Sequence, residues 1–415
     1  MKEGWNVKKS KAIMYVLLLG LLAFWGISFF KFYSIQSEVG FIQKEGGVIY
    51  KDENRHQYFG MHDIDGKTYY FDPNTGYISE GFKKLGSKTF YFKKDGTIYT
   101  GLKKIKGDTY FFNKDGSIIQ DELTFIDVDG KVQRSCFDSD GKMLISKSIE
   151  KDGIQYSFDE HGALYYDLSY LQKRVEEIAE KYKGTSSIYF KDLTTRESFS
   201  SNERTYYACC MIKVPALVAV YQQIENGTID FKSNQENIEK MIFISDNTAF
   251  NQLMKKIGKD DGIQGLNMAN DVARTYGMTQ TSLHHGLKPG DDFFTDGGTN
   301  LSSAKDSGLL LEALYDGKVI NEQRSKEMIE LLKKCSDTTK LVEGLPANTV
   351  IAHKSGDAEV EYGNYNHDGG IIYLPNREYI LSVYTKDVTD PQAIMKEISQ
   401  FVYEYQSIFA KKRPY

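Results

Sequence analysis

Cys210 precedes Lys213 by three residues in the run YYACCMIKVP, Tyr206 to Pro215. A helix brings residues three apart onto one face, so a thiol and an amine at this spacing can serve as nucleophile and base. A Cys beside a Lys at a helix N-terminus is expected to have a depressed pKa, giving a thiolate–ammonium pair. Two more short motifs follow in order, Ser245-Asp246-Asn247 and Lys354-Ser355-Gly356. Acyl transfer needs a nucleophile, a nearby base and donors where negative charge develops, and an anionic substrate needs a cation such as Lys354. The adjacent Cys209 reads as a small buried apolar residue. The position of Cys210 is instead set by Lys213.

The elements that must position these residues are legible in the second half of the chain. LSYLQKRVEEIAEKY, from Leu168, has helical spacing, and SSIYFKDL with ESFSSN reads as two strands joined by Thr194-Thr195-Arg196. MIKVPALVAVYQQIENG predicts a helix ended by Gly227. ENIEKMIFISDNTAFNQLMKKIG predicts further helix ended by Gly258, carrying the Ser245 motif. TVIAHKSGD, HDGGIIYLPN and EYILSVYTKD are strand candidates, and PQAIMKEISQFVYEYQSIFA is a closing amphipathic helix. This order predicts an α+β fold, one antiparallel sheet flanked by helices with an all-helical subdomain inserted.

With Ser in place of Cys210, the three motifs would spell S-x-x-K, S-D-N and K-[TS]-G. Around them stand MIKVP, SDNTAFNQL, HKSGD and GGIIYLP. Residues 168–415 therefore resemble the class A β-lactamases and the penicillin-binding-protein-like serine hydrolases. The resemblance implies a β-lactamase-like catalytic domain without a cofactor or metal. It puts Cys210 in the nucleophile's place and makes Lys213 its proton acceptor. Ser245 would relay a proton to the leaving nitrogen, and Asn247 would hydrogen-bond the substrate's side-chain amide. Lys354, Ser355 and Gly356 form the substrate-binding motif that holds the carboxylate, and the backbone N–H groups of Cys210 and Asp357 form the oxyanion hole.

Two departures qualify that resemblance. A larger sulfur can sit off the line of attack, and misplacement by ~1 Å costs ~100-fold. The family's deacylating Glu lies on a loop between the second and third motifs, yet no Glu occurs between Glu239 and Glu312. The corresponding segment reads LHHGLKPGDDFFTDGGTN, where Asp291, Asp292, Asp296, His284 and His285 are substitute candidates. His284, His285 and Asp291 could also be drawn as a metal set, but adjacent histidines lack helical spacing, and Asp and Gly in such loops are usually turn residues. Only 35 residues separate Cys210 from Ser245, so the helical insert is trimmed. Three functions follow: a hydrolase of β-lactams or related amides working through an acyl-enzyme, a D-Ala-D-Ala peptidase or acyltransferase with slow release, and a wall-binding or sensing protein with a decayed site. Retention of Lys213, Ser245, Asn247, Lys354 and Ser355 argues against the third.

From about Gly60 to Asp167 the sequence repeats, with glycines at Gly76, Gly96, Gly116, Gly141 and Gly162 spaced by 20, 20, 25 and 21. Each unit reads as two short Tyr- and Phe-rich strands joined by Asp-Gly turns. A period near 20 predicts a β-hairpin solenoid in which no hairpin buries its aromatic face alone. Asp63, Asp65, Asp127 and Asp129 lack the downstream ligands of an EF-hand and read as turn residues. At GKTYYFDPNTG the region resembles the choline- and glucan-binding cell-wall repeats of Gram-positive surface proteins. That resemblance implies a wall polymer as partner, choline-substituted teichoic acid or glucan. Tyr69, Tyr70, Phe90, Tyr91, Tyr110 and Phe111 are the candidates to stack on it, although any one of them is as well explained by the solenoid core.

Ala12 to Phe30 is an uncharged apolar run of 19 residues preceded by Lys2, Lys8, Lys9 and Lys11. At ~1.5 Å per residue it nearly spans a ~30 Å hydrocarbon core. Phe29, Phe30, Lys31 and Phe32 make a poor cleavage site, so an uncleaved anchor is expected, with the N-terminus cytoplasmic and the catalytic domain outside, at the wall. The expected organisation is a tail at 1–11, an anchor at 12–30, a linker at 31–59, repeats at 60–167 and the catalytic domain at 168–415. A net charge of −5 excludes an electrostatic nucleic-acid partner. Cys136, Cys209, Cys210 and Cys335 form neither a disulfide framework nor a CxxC metal spacing.

Overall fold

The computed structural model describes residues 39–410. The apolar run 12–30 and the tail 1–11 lie outside them, and among the described residues no helix is long and apolar enough to cross a membrane. The chain divides into two units. One runs to Ile149 and includes Tyr156–Tyr165; the other comprises Glu150–Gln155 and the chain from Tyr166 onward.

The first unit is a series of two-stranded antiparallel hairpins, among them Gly60–Ile64 with Lys67–Phe71, Gly81–Leu85 with Lys88–Phe92, and Gly101–Ile105 with Asp108–Phe112. The series starts earlier than expected: Gly40–Lys44 pairs with Gly47–Lys51, inside the segment read as linker. That hairpin keeps the Gly-Phe and Tyr positions of the others but lacks the Asp-Gly turn by which the repeat is recognised. Successive units are stitched by backbone bonds, Ile98 N–H to Thr68 O, Ile118 N–H to Thr89 O and Met143 N–H to Thr109 O, at 2.7–2.8 Å. The third aromatic of each hairpin, Phe71, Phe92 and Phe112, is fully buried. The Asp residues serve the turns: Asp127 accepts from the Gly130 N–H at 2.7 Å, and Asp65 and Asp129 adopt positive φ.

The repeated glycines are required twice over. Gly96, Gly116 and Gly141 each have φ near +80°, and a Cβ on Gly116 would lie 2.1 Å from Ile98 Cδ1 of the preceding unit. Left-handed backbone costs a non-glycine residue roughly 1–2 kcal/mol. Gly116→Ala is therefore expected to destabilise the hairpin series by at least that amount, read as a lower urea midpoint and earlier proteolysis within residues 100–145. An unchanged midpoint would show that the unit-to-unit stacking does not depend on this glycine.

In the second unit a five-stranded antiparallel sheet is built from β1 (Thr185–Asp192), β2 (Ser198–Ser201), β3 (Val350–Val360), β4 (Gly363–Tyr373) and β5 (Tyr379–Lys386). Their order is β2-β1-β5-β4-β3, so the strand carrying Lys354 is an edge. Helix α1 (Leu168–Glu180) packs against the closing helix α8 (Pro391–Ala410), and the two bring the ends of the unit together. Between β2 and β3 run α2 (Lys213–Glu225), α3 (Phe231–Phe243), α4 (Asn247–Ile257), α5 (Gly262–Thr275), α6 (Ala304–Tyr315) and α7 (Glu322–Leu332). Helix α2 is buried from Lys213 through Tyr221, as befits a helix apolar on nearly every face, and lies at the centre of the helical group. The expected α+β architecture is thus present, one antiparallel sheet flanked by helices with a helical group inserted.

One expected element is different. The segment read as continuous helix through Ser245 breaks between α3 and α4, so the Ser245 motif sits on a corner. Ser245 has φ +57°, incompatible with a right-handed helix, and Asp246 caps α4 by accepting from the Ala249 N–H. The helical periodicity is shared by both flanking helices and conceals the break.

Candidate active site

A four-residue helical turn, Cys209–Ile212, leads into α2, so Cys210 and Lys213 stand at the mouth of a buried helix. Cys209 adopts φ +49° and is buried; Cys210 is half-buried. The Lys213 side chain is fully buried. Its Nζ lies 3.3 Å from Cys210 Sγ, 3.1 Å from Ser245 Oγ and 2.7 Å from Asn247 Oδ1, and it also donates to the Ser245 carbonyl. The corner at Ser245 places hydroxyl, carbonyl and the Asn247 amide around one amine. Cys210 Sγ is 3.7 Å from Asn247 Oδ1.

The electrostatics follow from that cage. Burial pushes the Cys210 thiol up, but the positive charges of Lys213 and Lys354, with hydrogen bonds from Ser245 and Lys213, bring it below its ordinary value. Burial lowers Lys213 to about 8, opposed by the thiolate beside it. Both groups therefore release a proton more readily than usual, and they stand 3.3 Å apart.

Strand β3 closes the site. Gly356 passes so near that a Cβ there would lie 2.6 Å from the Cys210 nitrogen, so the glycine of the third motif is a matter of space. Lys354 is buried and donates to the Ser355 carbonyl at 2.6 Å. The Ser355 hydroxyl is engaged by Asp337. Burial raises the Asp337 carboxyl, yet the bonds from Ser355, Thr339 and Lys340 outweigh it and hold the group well below the usual carboxylate range. Lys340 reaches both Asp337 at 2.9 Å and Asp357 at 3.2 Å. Neither Asp337 nor Lys340 belongs to a short motif, so sequence reasoning had no signal for them.

A cleft of about 500 Å³ opens beside the thiol, lined among others by Tyr207, Cys210, Asn247, His285, Lys288, Phe293, Asp357 and Glu359. His285 stacks on Tyr207, and Lys288 Nζ sits 4.0 Å over the Phe293 ring. Of the five substitute bases considered, only His285 lines the cleft. Asp292 pairs with Lys255 and Asp296 with His284, each at 3.0 Å, while the Asp291 backbone is held by Thr248 and Asn251. The metal set of His284, His285 and Asp291 is not brought together: the two rings turn to different partners. The loop 284–296 is braced instead by Asn251, fully buried on α4, which bonds Leu287 N–H and O and the Asp291 carbonyl at 2.8–3.0 Å. Asn251 lies one helical turn beyond Asn247, which is the signal that could have found it.

In the hairpin unit, Tyr70, Phe90 and Tyr110 are buried, whereas Tyr69, Tyr91 and Phe111 are half-buried. The exposed Phe82, missed from sequence, lies 5.0 Å from Tyr91 and 5.2 Å from Tyr110 between ring centroids. Phe41 repeats the arrangement with Tyr50 and Tyr69 at 4.9 and 5.0 Å. These two open aromatic triplets are the surfaces on which a ring or a cation could stack.

Comparison with known proteins agrees with the geometry. The sequence profile of the β-lactamase enzyme family matches residues 170–236 and 232–406, more than half of the chain. The chain belongs to that family. A cell-wall-binding repeat profile matches residues 80–98 and 100–118. The extended-spectrum β-lactamase PER-1 of Pseudomonas aeruginosa is 24% identical over 182 residues, covering 41% of this chain and 56% of that protein. The chain thus spans little more than half the length of this curated relative. Among solved structures, the TLA-1 extended-spectrum β-lactamase shares 18% identity, covers 58% of this chain and all of its own, and has a TM-score of 0.51. A β-lactamase from Sphaerobacter thermophilus is 20% identical, covering 59% of this chain and 98% of that one, with a TM-score of 0.50. These likenesses show the fold. The family is one of β-lactamase and penicillin-binding-protein-like serine hydrolases.

Removing Asn251 tests the brace. Asn251→Ala leaves buried backbone groups unpaired, at about 1–3 kcal/mol each. Faster hydrogen exchange confined to residues 284–296 is the expected outcome, with the sheet unaffected. Unchanged exchange there would mean the loop holds itself.

Proposed function

We propose that the protein is a membrane-anchored, wall-associated acyl-transfer enzyme that acylates Cys210 with a β-lactam or a peptidoglycan stem peptide and releases the acyl group slowly. The observation that carries this reading is the buried Lys213 amine, 3.3 Å from Cys210 Sγ and caged with Ser245 and Asn247. In this reading the thiolate attacks the amide carbonyl, and the backbone N–H groups of Cys210 and Asp357 receive the developing oxyanion. Ser245 passes a proton from Lys213 to the leaving nitrogen, the C–N bond breaks and a thioester remains. Asn247 orients the substrate's side-chain amide, and Lys354 with Ser355 and Gly356 supplies the charge and edge that receive its carboxylate.

Slow release is supported by what faces the thioester. The loop 284–296 presents Lys288 and His285 to the cleft and directs its carboxylates elsewhere. Lys288 as an ammonium does not activate water, and the carboxylates that line the cleft, Asp357 and Glu359, come from β3 and not from this loop, so His285 is the one base the loop presents there. This favours a D-Ala-D-Ala peptidase or acyltransferase over a fast antibiotic hydrolase such as the extended-spectrum relatives. The repeat match and the two aromatic triplets support attachment to choline-substituted teichoic acid or glucan. The apolar run 12–30 behind its lysines supports a single-pass anchor with a cytoplasmic N-terminus.

Intact-mass measurement of the full chain in detergent with a penicillin tests the acyl-enzyme. A mass increase on Cys210 that persists for hours is expected, with none on Cys210→Ala. Lys213→Ala removes the cation that opposes burial, and each unit of pKa rise cuts the thiolate at pH 7 about tenfold, so adduct formation should slow at least tenfold. No adduct on either the native chain or Cys210→Ser would sink the reading, and rapid decay of the adduct would transfer it to a hydrolase. Separately, Phe82→Ala with Tyr91→Ala is expected to reduce co-sedimentation with Gram-positive walls severalfold. Competition by free choline would identify teichoic acid; competition by soluble glucan alone would identify the glucan.

A further inference from the structure

The steps that load Cys210 leave His285 without a role, although it lines the same cleft. Its Nδ1 lies 2.6 Å from the Gly286 carbonyl oxygen. A carbonyl only accepts, so Nδ1 carries the proton and donates it, and in the neutral ring Nε2 keeps the lone pair. The Asn300 amide nitrogen, 3.2 Å from the same Nδ1, therefore meets a donor there and bonds the His285 carbonyl at 2.9 Å instead. Nε2 has no hydrogen-bond partner among the described residues.

The ring is fixed in place as well as in tautomer. Asn300 is buried, and its Oδ1 accepts from the N–H groups of His284 and His285 at 2.7 and 3.0 Å. Its own carbonyl accepts from the Ala208 N–H at 2.9 Å, two residues before Cys210. One residue thus ties the loop bearing the imidazole to the turn bearing the thiol. The ring stacks on Tyr207, with centroids 6.1 Å apart and planes 26° apart, and Phe293 stands 6.1 Å away. The titratable groups sharing the cleft with it are Tyr207, Cys209 and Cys210 ahead of α2, Lys288 on its own loop, and Asp357 and Glu359 on β3. Lys340 takes Asp357 at 3.2 Å, and Lys288 sits over Phe293. Glu359, exposed on β3, is the rival base.

We propose that His285 is the general base that releases the acyl group from Cys210, its Nε2 taking the proton of the attacking water. The inference rests on the acyl-enzyme reading above and names the residue through which release runs. The water oxygen bonds to the thioester carbonyl carbon as its proton passes to Nε2. The tetrahedral oxyanion then re-forms the carbonyl, the C–S bond breaks, and sulfur leaves with the electron pair. The imidazolium proton passes to that sulfur, which leaves a carboxylic acid, a free thiol and a neutral His285. The Gly286 carbonyl takes part throughout. As Nε2 gains its proton, the Nδ1–H bond to that oxygen becomes charge-assisted and stronger, which favours the imidazolium as it forms.

The full chain in detergent is loaded with a penicillin and freed of excess reagent, and loss of the Cys210 adduct is followed by intact mass across the pH range in which imidazole titrates. An imidazolium has no lone pair, so release should slow as pH falls and level off once the ring is neutral. Hydroxide attack without a base would instead climb about tenfold with each pH unit. A positioned base is worth ~100-fold or more, so the His285→Gln adduct should decay at least that much more slowly and lose the plateau. A profile that climbs throughout on the native chain, or an adduct that never decays, overturns the proposal. So does decay that His285→Gln leaves unchanged, or that is lost in Glu359→Gln instead. The profile is read on the unsubstituted chain, so it decides the matter whether or not His285→Gln folds. No adduct at any pH removes the acyl-enzyme reading and this inference with it, whereas an adduct whose release ignores His285 removes the inference alone.

Discussion

An ammonium buried to complete exclusion from water is the constraint around which the second unit is arranged. Taking such a charge out of water costs several kcal/mol unless its protons are all met. Lys213 meets that cost with the Ser245 hydroxyl and carbonyl, the Asn247 amide and the Cys210 sulfur. Each acceptor demands something of the backbone. The carbonyl requires the corner with Ser245 at positive φ, the amide requires α4 to begin where it does, and the sulfur requires the turn entering α2. The strain at Cys209 and Ser245 is the counterpart of that convergence.

In the proposed reading, the same cage lets a cysteine serve where the family uses a serine. A serine hydroxyl needs a base to lose its proton during attack. A thiol in this field holds its proton less tightly than an ordinary one, because Lys213 and Lys354 outweigh the effect of burial. The trade appears at the other end of the reaction. There the loop 284–296 lines the cleft with Lys288, which cannot activate water as an ammonium, and His285, which can, while Asp357 and Glu359 line it from β3. In the proposed reading the site charges easily and discharges slowly, which suits a protein held beside a wall polymer, and the aromatic triplets of the hairpin unit are surfaces on which a ring or a cation could stack.

Behind the third motif, β3 has two faces with separate electrostatic tasks. Lys354 belongs to the acylation cage, while His353, one residue earlier, belongs to the buried pair with Asp368. Alternation along a strand separates such neighbours by the thickness of the sheet while leaving them mechanically joined. The segment from Cys335 to Lys340 runs beside this strand, and Lys340 reaches Asp357 on it at 3.2 Å.

The sequence by itself determined the fold class, the three ordered motifs and the repeat, because periodicity, Gly placement and i,i+3 spacing are local properties. It also separated Cys210 from Cys209, through the distance to Lys213. It did not determine the corner at Ser245, since both flanking helices share one amphipathic rhythm and a single positive φ leaves no compositional trace. The first hairpin at Gly40 escaped for lack of its Asp-Gly turn, and Phe82 escaped because cross-repeat contact, rather than its own neighbours, makes it part of a surface. Asn251, Asp337 and Lys340 became meaningful only when the loop and strands were folded against them. Which charged groups face one another across a cleft depends on segments a hundred residues apart, and only packing decides that.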